Sequence, residues 1–162
     1  MFAPLLALAG LLAARGALTN ATAPELAADV LEVATTEPPL FDGEGAREKT
    51  ARLLLVWAAR ESAGQVAALG DCAPGKRTVA TCRSFGAMQM DRGWLAALEL
   101  APADVLADRR LALRSGLEVF RRLRDRCGNV RAGLRAYASG TCAGSPRARA
   151  LVEWRCKEAG AC

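Results

Sequence analysis

Histidine is absent from this chain of 162 residues, and that absence removes several chemistries at once. No Ser-His-Asp or Cys-His nucleophile pair can be assembled, nor a His-Glu-x-x-His zinc site. Acid-base work falls to carboxylates. Nothing matches a Walker or dinucleotide pattern, so no nucleotide or other cofactor is expected. Aromatic residues make up 5% of the chain, with a single tyrosine. Residues that favour strands are scarce while alanine and leucine are common, a balance that favours helices. There is no long polar, acidic or low-complexity tract and no internal repeat. The length suits one domain with a real core and would crowd two.

The six cysteines, at positions 72, 82, 127, 142, 156 and 162, form an even set without a Cys-x-x-Cys pair. A disulfide framework therefore outranks a zinc site or a redox pair, and no metal is expected. It implies an oxidising compartment, either periplasmic or extracellular. Six cysteines allow many pairings. Proximity favours Cys72 with Cys82, Cys127 with Cys142, and Cys156 with Cys162; six reduced, buried thiols are the alternative. The first pairing would hold Lys76 and Arg77 close to one place and lower the entropy lost when that loop is ordered.

The N-terminal segment agrees with export. Phe2 to Ala14 is apolar and too short for a stable membrane anchor, and the small residues Thr19 and Ala21 suit a signal peptidase. Residues 1–21 are read as a signal peptide and 22–162 as the mature domain, with no membrane anchor once the signal is gone. No basic residue precedes the apolar run, so a buried first helix is the alternative. The net charge of +5 falls by one on cleavage, because residues 1–21 contain Arg15 and no acid. The arginines are not interleaved with exposed-looking aromatics and no nucleic-acid motif is present, so no nucleic-acid partner is expected. A solvated helical face explains them best, with attraction to an anionic cell wall second.

One carboxylate stands out. An apolar helical run from Ala51 to Ala59, interrupted only at Arg52, ends in Arg60-Glu61-Ser62. Leu54, Trp57 and Ala58 lie seven, four and three residues before Glu61, on the face that should meet the core. Desolvation there, together with the negative end of the helix dipole, disfavours an ionised carboxylate. A carboxylic acid that keeps its proton near neutral pH can donate it to a glycosidic oxygen. The plain alternative is a solvated glutamate ending a helix.

About two dozen residues later the chain reads Ser84-Phe85-Gly86-Ala87-Met88-Gln89-Met90. This segment combines a permissive glycine, soft apolar side chains and one amide, which suits a sugar site. Together with Arg60-Glu61-Ser62 it resembles the Glu-Ser and Gly-Leu-Met-Gln motifs of the soluble lytic transglycosylase domains, relatives of goose-type lysozyme. Ala136-Tyr137-Ala138-Ser139-Gly140 looks like that family's Ala-Tyr-Asn-x-Gly element. Two departures are Ala63-Gly64-Gln65 where an aromatic often follows Glu-Ser, and Ala138 in place of the asparagine. The Cys72–Cys82 loop is a further addition. The resemblance spans roughly residues 40–152.

The resemblance implies a mainly α, lysozyme-like helical domain with disulfides that cleaves the β-1,4 bond between N-acetylmuramic acid and N-acetylglucosamine of peptidoglycan. It makes Glu61 the catalytic residue and Ser62, Ser84, Gly86, Met88, Gln89 and Tyr137 substrate-binding, with Tyr137 lining the cleft opposite the acid. A lytic transglycosylase forming 1,6-anhydro products is the first reading. A hydrolytic lysozyme of the same fold and a silent peptidoglycan-binding module are the alternatives. Asp71 is the candidate for a second carboxylate, although a turn aspartate beside a disulfide is the simpler account. Asp91 reads as a local cap. Tyr137, Trp57, Trp94 and Trp154 are otherwise ordinary core residues. A monomer is expected.

The remaining segments read as helices. Thr22-Ala23-Pro24-Glu25 has capping-box spacing and opens a helix to about Val33. Glu37 to Gly43 breaks it, with Leu40 and Phe41 plugging the core, and the acid-bearing helix begins near Gly45. A helix from Leu106 to Leu123 places Leu113, Gly116, Leu117, Phe120 and Leu123 on one face, and Cys127-Gly128 stops it. Val130 to Ala138 and a segment opened by Ser145-Pro146 complete the set.

Overall fold

The apolar run before Glu61 becomes the hub of the molecule. The computed structural model describes residues 2–162. In it Leu53 through Ala58 are all 0–1% exposed, so this stretch is covered all round, as a helix at the centre of a core must be. It belongs to α3 (Ala46–Ser62), which follows α1 (Phe2–Ala14) and α2 (Thr22–Thr36). Three two-residue strands come next, β1 (Leu69–Gly70), β2 (Ser84–Phe85) and β3 (Met90–Asp91). Five helices complete the chain: α4 (Arg92–Ala97), α5 (Pro102–Ala107), α6 (Arg109–Cys127), α7 (Val130–Ser139) and α8 (Pro146–Ala159). The protein is mainly α.

Helix α3 packs against α1, α2, α6 and α8, and α6 lies along α7. The expected α6 face is buried, with Leu113, Leu117, Phe120 and Leu123 at 0–1% exposure. Gly133 lets α7 approach α6 closely, since a Cβ there would fall 2.6 Å from the Arg124 backbone nitrogen. The three strands form one antiparallel sheet in the order β1-β2-β3, pairing Leu69 with Phe85 and Phe85 with Met90. This sheet was not foreseen. All three favoured disulfides are present: Cys72–Cys82, Cys127–Cys142 and Cys156–Cys162.

Several boundaries differ from expectation for local reasons. The single helix expected from Leu106 to Leu123 is split at Asp108, whose carboxylate accepts from the backbone nitrogens of Arg110 and Leu111 and so starts α6 afresh. Thr22 does not form a capping box with Glu25. It exchanges hydrogen bonds with Thr19 instead, each backbone nitrogen donating to the other's hydroxyl. The far end of α2 is closed by Arg47, which donates to the carbonyls of Ala34, Thr35 and Glu37.

The arginines expected to be merely solvated are mostly engaged. Asp29, on α2, accepts from Arg109 at 2.6 Å and Arg110 at 2.7 Å, and Glu32 pairs with Arg110 at 2.7 Å. These pairs tie α6 to α2 across the core edge. Of the tryptophans, Trp57 is core, Trp94 is half-buried, and Trp154 is exposed beneath the Arg60 guanidinium. Helix α1 lies on α2 and α3 with Leu5 and Leu12 wholly buried. Among the described residues no helix is long and apolar enough to cross a membrane.

Candidate active site

Glu61 occupies the last turn of α3, and the chain then reverses through Ala63 in the left-handed conformation. The apolar stripe beneath it is as expected. What the spacing did not reveal is a cation: Nη1 of Arg155, on α8, donates to Oε1 of Glu61 at 2.6 Å. The Arg155 side chain is 5% exposed and that of Glu61 25%. The guanidinium also lies over Trp57, 4.3 Å from its ring centroid. The Glu61 carboxylate therefore does not stand alone on its apolar stripe, since a buried guanidinium is hydrogen-bonded to it. One residue away Arg60 makes the converse pair with Glu158 of α8, at 2.5 Å. Two oppositely directed ion pairs thus fix the end of α3 against α8.

Glu61 lines two clefts at once. One, of about 550 Å³, also includes Asp71, Ser84, Gln89, Trp94 and Tyr137. The other, of about 390 Å³, includes Ser62, Gln65, Leu69, Arg77 and Gln89. Glu61 and Gln89 are common to both, so they stand where the two clefts meet. Among the described residues, Oε2 of Glu61 has no hydrogen-bond partner. A larger cleft of about 820 Å³, lined by residues such as Lys49, Arg124 and Val130, does not include Glu61. Volume alone would select it; the convergence of polar groups selects the Glu61 pair.

The Ser84 to Met90 segment is a tight structural unit. The backbone nitrogen of Gln89 donates to the Gly86 carbonyl at 3.0 Å, and Gly86 donates to Ala68 at 2.9 Å. Gly86 has φ +72°, and a Cβ there would fall 2.8 Å from the Val105 carbonyl oxygen of α5. The turn and that approach each require a glycine here. Gln89 is itself left-handed at φ 51°, an unusual conformation for a side chain of this size. Its amide folds back, Nε2 donating to the carbonyls of Gly86 at 2.9 Å and Ala68 at 3.3 Å. The amide oxygen rests on Gly70, where an added Cβ would fall 1.8 Å from it. Gly70 is thus a site residue missed in the sequence, although a glycine in a strand signals close approach.

Met88 does not supply the soft cleft wall expected of it. Its side chain is wholly buried against Gly116 of α6, where an added Cβ would fall 2.8 Å from it. Its carbonyl matters instead, accepting from the Tyr137 hydroxyl at 2.8 Å. The Tyr137 ring sits edge-on to Phe120 and Trp57, at 4.8 and 5.9 Å between centroids. Burial, and after it the negative charge of Glu61, raise the Tyr137 phenol above its usual range. The hydroxyl remains a donor and is no candidate for a base.

Ser62 is a clamp: its hydroxyl lies 2.9 Å from the Ala87 carbonyl and 3.0 Å from that of Ala58. It stitches the end of α3 to the Gly86–Gln89 turn. The buried Ser84 hydroxyl donates to Asp71, a left-handed residue beside Cys72. Asp91 caps α4, accepting from the Gly93 nitrogen at 2.8 Å, and also lines the 550 Å³ cleft with Glu61. Chemically, the arrangement offers one tethered carboxylate between two clefts, a protonated phenol and two further carboxylates on one side.

No protein-family model, curated protein or solved structure matches the chain.

Proposed function

We propose that the protein cleaves peptidoglycan between N-acetylmuramic acid and N-acetylglucosamine, as a lytic transglycosylase of lysozyme-like fold acting in the periplasm or outside the cell. The observation that carries this reading is the place of Glu61 at the junction of two clefts. A glycosidase needs its acid between the sugar that keeps the bond's anomeric carbon and the sugar that leaves. The Glu61, Gly86–Gln89 and Tyr137 elements that resemble the transglycosylase motifs are also brought together by the fold, which supports the same reading.

In this mechanism Arg155 orients the carboxyl group through Oε1 and leaves Oε2 to face the substrate. Protonated Glu61 gives its proton to the glycosidic oxygen as the bond to the anomeric carbon breaks. The resulting carboxylate, steadied by the Arg155 guanidinium, then accepts the proton of the muramyl 6-hydroxyl while that oxygen bonds to the anomeric carbon. Glu61 regains its proton and the product is the 1,6-anhydro sugar. Gln89 and the Ser62-clamped turn shape the wall on which the sugar rests, and Tyr137 fixes the turn by its bond to the Met88 carbonyl.

Asp71 in the same cleft favours a second reading, hydrolysis, in which a water replaces the 6-hydroxyl. Mass spectrometry of fragments released from purified peptidoglycan separates the two. Fragments lighter by one water are expected, and reducing ends would mark a hydrolase. Glu61→Gln is expected to abolish release while the thermal transition survives. Retained release would reject the role of Glu61, and sedimentation with peptidoglycan without release by the wild type would mark a silent binding module.

A further inference from the structure

The two clefts that meet at Glu61 differ in charge. The larger includes Asp71 and Asp91 and no basic side chain. The smaller includes Arg77 and no acid besides Glu61. Among the described residues Arg77 is the one cation lining either cleft, and no carboxylate pairs with it within 4.0 Å. That sets it apart from Arg109, Arg110 and Arg121 of α6, which are paired with α2 or with Glu118. A single bond orients it: Nη2 donates to the Leu69 carbonyl of β1 at 2.7 Å. The remaining donors of the guanidinium are left for a ligand, in the planar fork that matches a carboxylate.

The loop that carries Arg77 is ordered before any ligand arrives. Cys72–Cys82 closes it, Ala73 donates to the Thr81 carbonyl at 2.9 Å, and the Thr81 hydroxyl donates to the Lys76 carbonyl at 3.0 Å. Little entropy is left to lose there on binding.

We propose that Arg77 binds a carboxylate borne by the substrate in the smaller cleft and so sets the direction in which a glycan strand lies across Glu61. The acidic sugar, with its lactyl carboxylate or attached peptide, occupies the Arg77 side. The neutral N-acetyl sugar occupies the side of Asp71 and Asp91, where a second negative group would be repelled. This rests on the glycan-cleaving reading and names the residue that gives it polarity.

Calorimetry with the full chain and two probes tests it: the disaccharide N-acetylglucosaminyl-N-acetylmuramic acid and its lactyl methyl ester. The wild type is expected to bind the acid about tenfold more tightly than the ester. Arg77→Gln is expected to bind both equally with its thermal transition unchanged, and Arg77→Lys to restore part of the preference. Equal binding of acid and ester by the wild type, a preference that survives Arg77→Gln, or binding of neither probe would each overturn the proposal. Because binding is read without turnover, the outcomes separate: a preference that depends on Arg77 in a protein releasing no fragments sustains the charge reading and rejects the enzyme. Release of fragments with an unchanged preference does the reverse.

Discussion

The guanidinium of Arg155 holds Oε1 of Glu61 at 2.6 Å while its flat face covers Trp57 at 4.3 Å. One buried side chain from the last helix thus joins the centre of the core to the one carboxylate that faces both clefts. Arg155→Met removes the partner and leaves a partly buried charge on Glu61. The loss expected is about 1.5–3 kcal/mol in urea unfolding, the range for hydrogen bonds to charged groups, held below that of a fully buried pair by the partial exposure of Glu61. Arg155→Lys keeps the charge but loses the fork and the stacking, so it should retain most of the stability while turnover of peptidoglycan falls. A Lys variant with full turnover would reduce Arg155 to a packing residue.

Two glycines of the site should fail in different ways. Gly86→Ala meets a backbone oxygen at 2.8 Å with φ +72°. Left-handed backbone alone costs about 1–2 kcal/mol for a residue with a Cβ, and the clash with α5 adds to it, so chemical denaturation should show a loss above about 2 kcal/mol. Gly70→Ala meets only the end of the Gln89 side chain, which can rotate away. Its stability should stay within about 1 kcal/mol of the wild type, while turnover drops because Gln89 leaves the junction of the clefts. Equal losses of stability in the two variants would contradict this.

The Cys72–Cys82 bridge closes a short loop between β1 and β2, its ends ten positions apart in the sequence. Replacing both cysteines by serine should lower stability by about 2–3 kcal/mol on the chain-entropy account. The Glu61–Arg155 pair lies on helices outside that loop, so release of glycan fragments should persist while the preference for a carboxylate-bearing ligand weakens. Loss of all release in a variant that still unfolds cooperatively would mean the bridge positions Glu61 as well.

Much of the fold could be read from near neighbours in the chain. The spacing of Leu54, Trp57 and Ala58 before Glu61 located the acid-bearing helix, and Ser145-Pro146 marked the start of α8. The cysteine pairs followed from proximity. The sheet escaped because strands of two residues carry no alternation to detect. The break at Asp108 escaped because its flanks share the helical pattern, and only the cap hydrogen bonds decide it. Met88 was misplaced because a methionine between Ala87 and Gln89 looks the same whether it faces a ligand or the gap left by Gly116.

By itself the sequence determined a disulfide-bonded, mainly helical chain, a carboxylate just after the apolar run of residues 51–59, and the absence of histidine chemistry. These are properties of composition and of residues within a few positions of one another, where helical periodicity and local hydrogen bonding act. Only the tertiary structure decided that Glu61 is tethered, since Arg155 lies 94 residues away in sequence. It alone divided the site into an acidic and a basic side. Ion pairs and clefts arise between elements that meet only when the core packs, and no short-range pattern encodes which charges that packing will bring together.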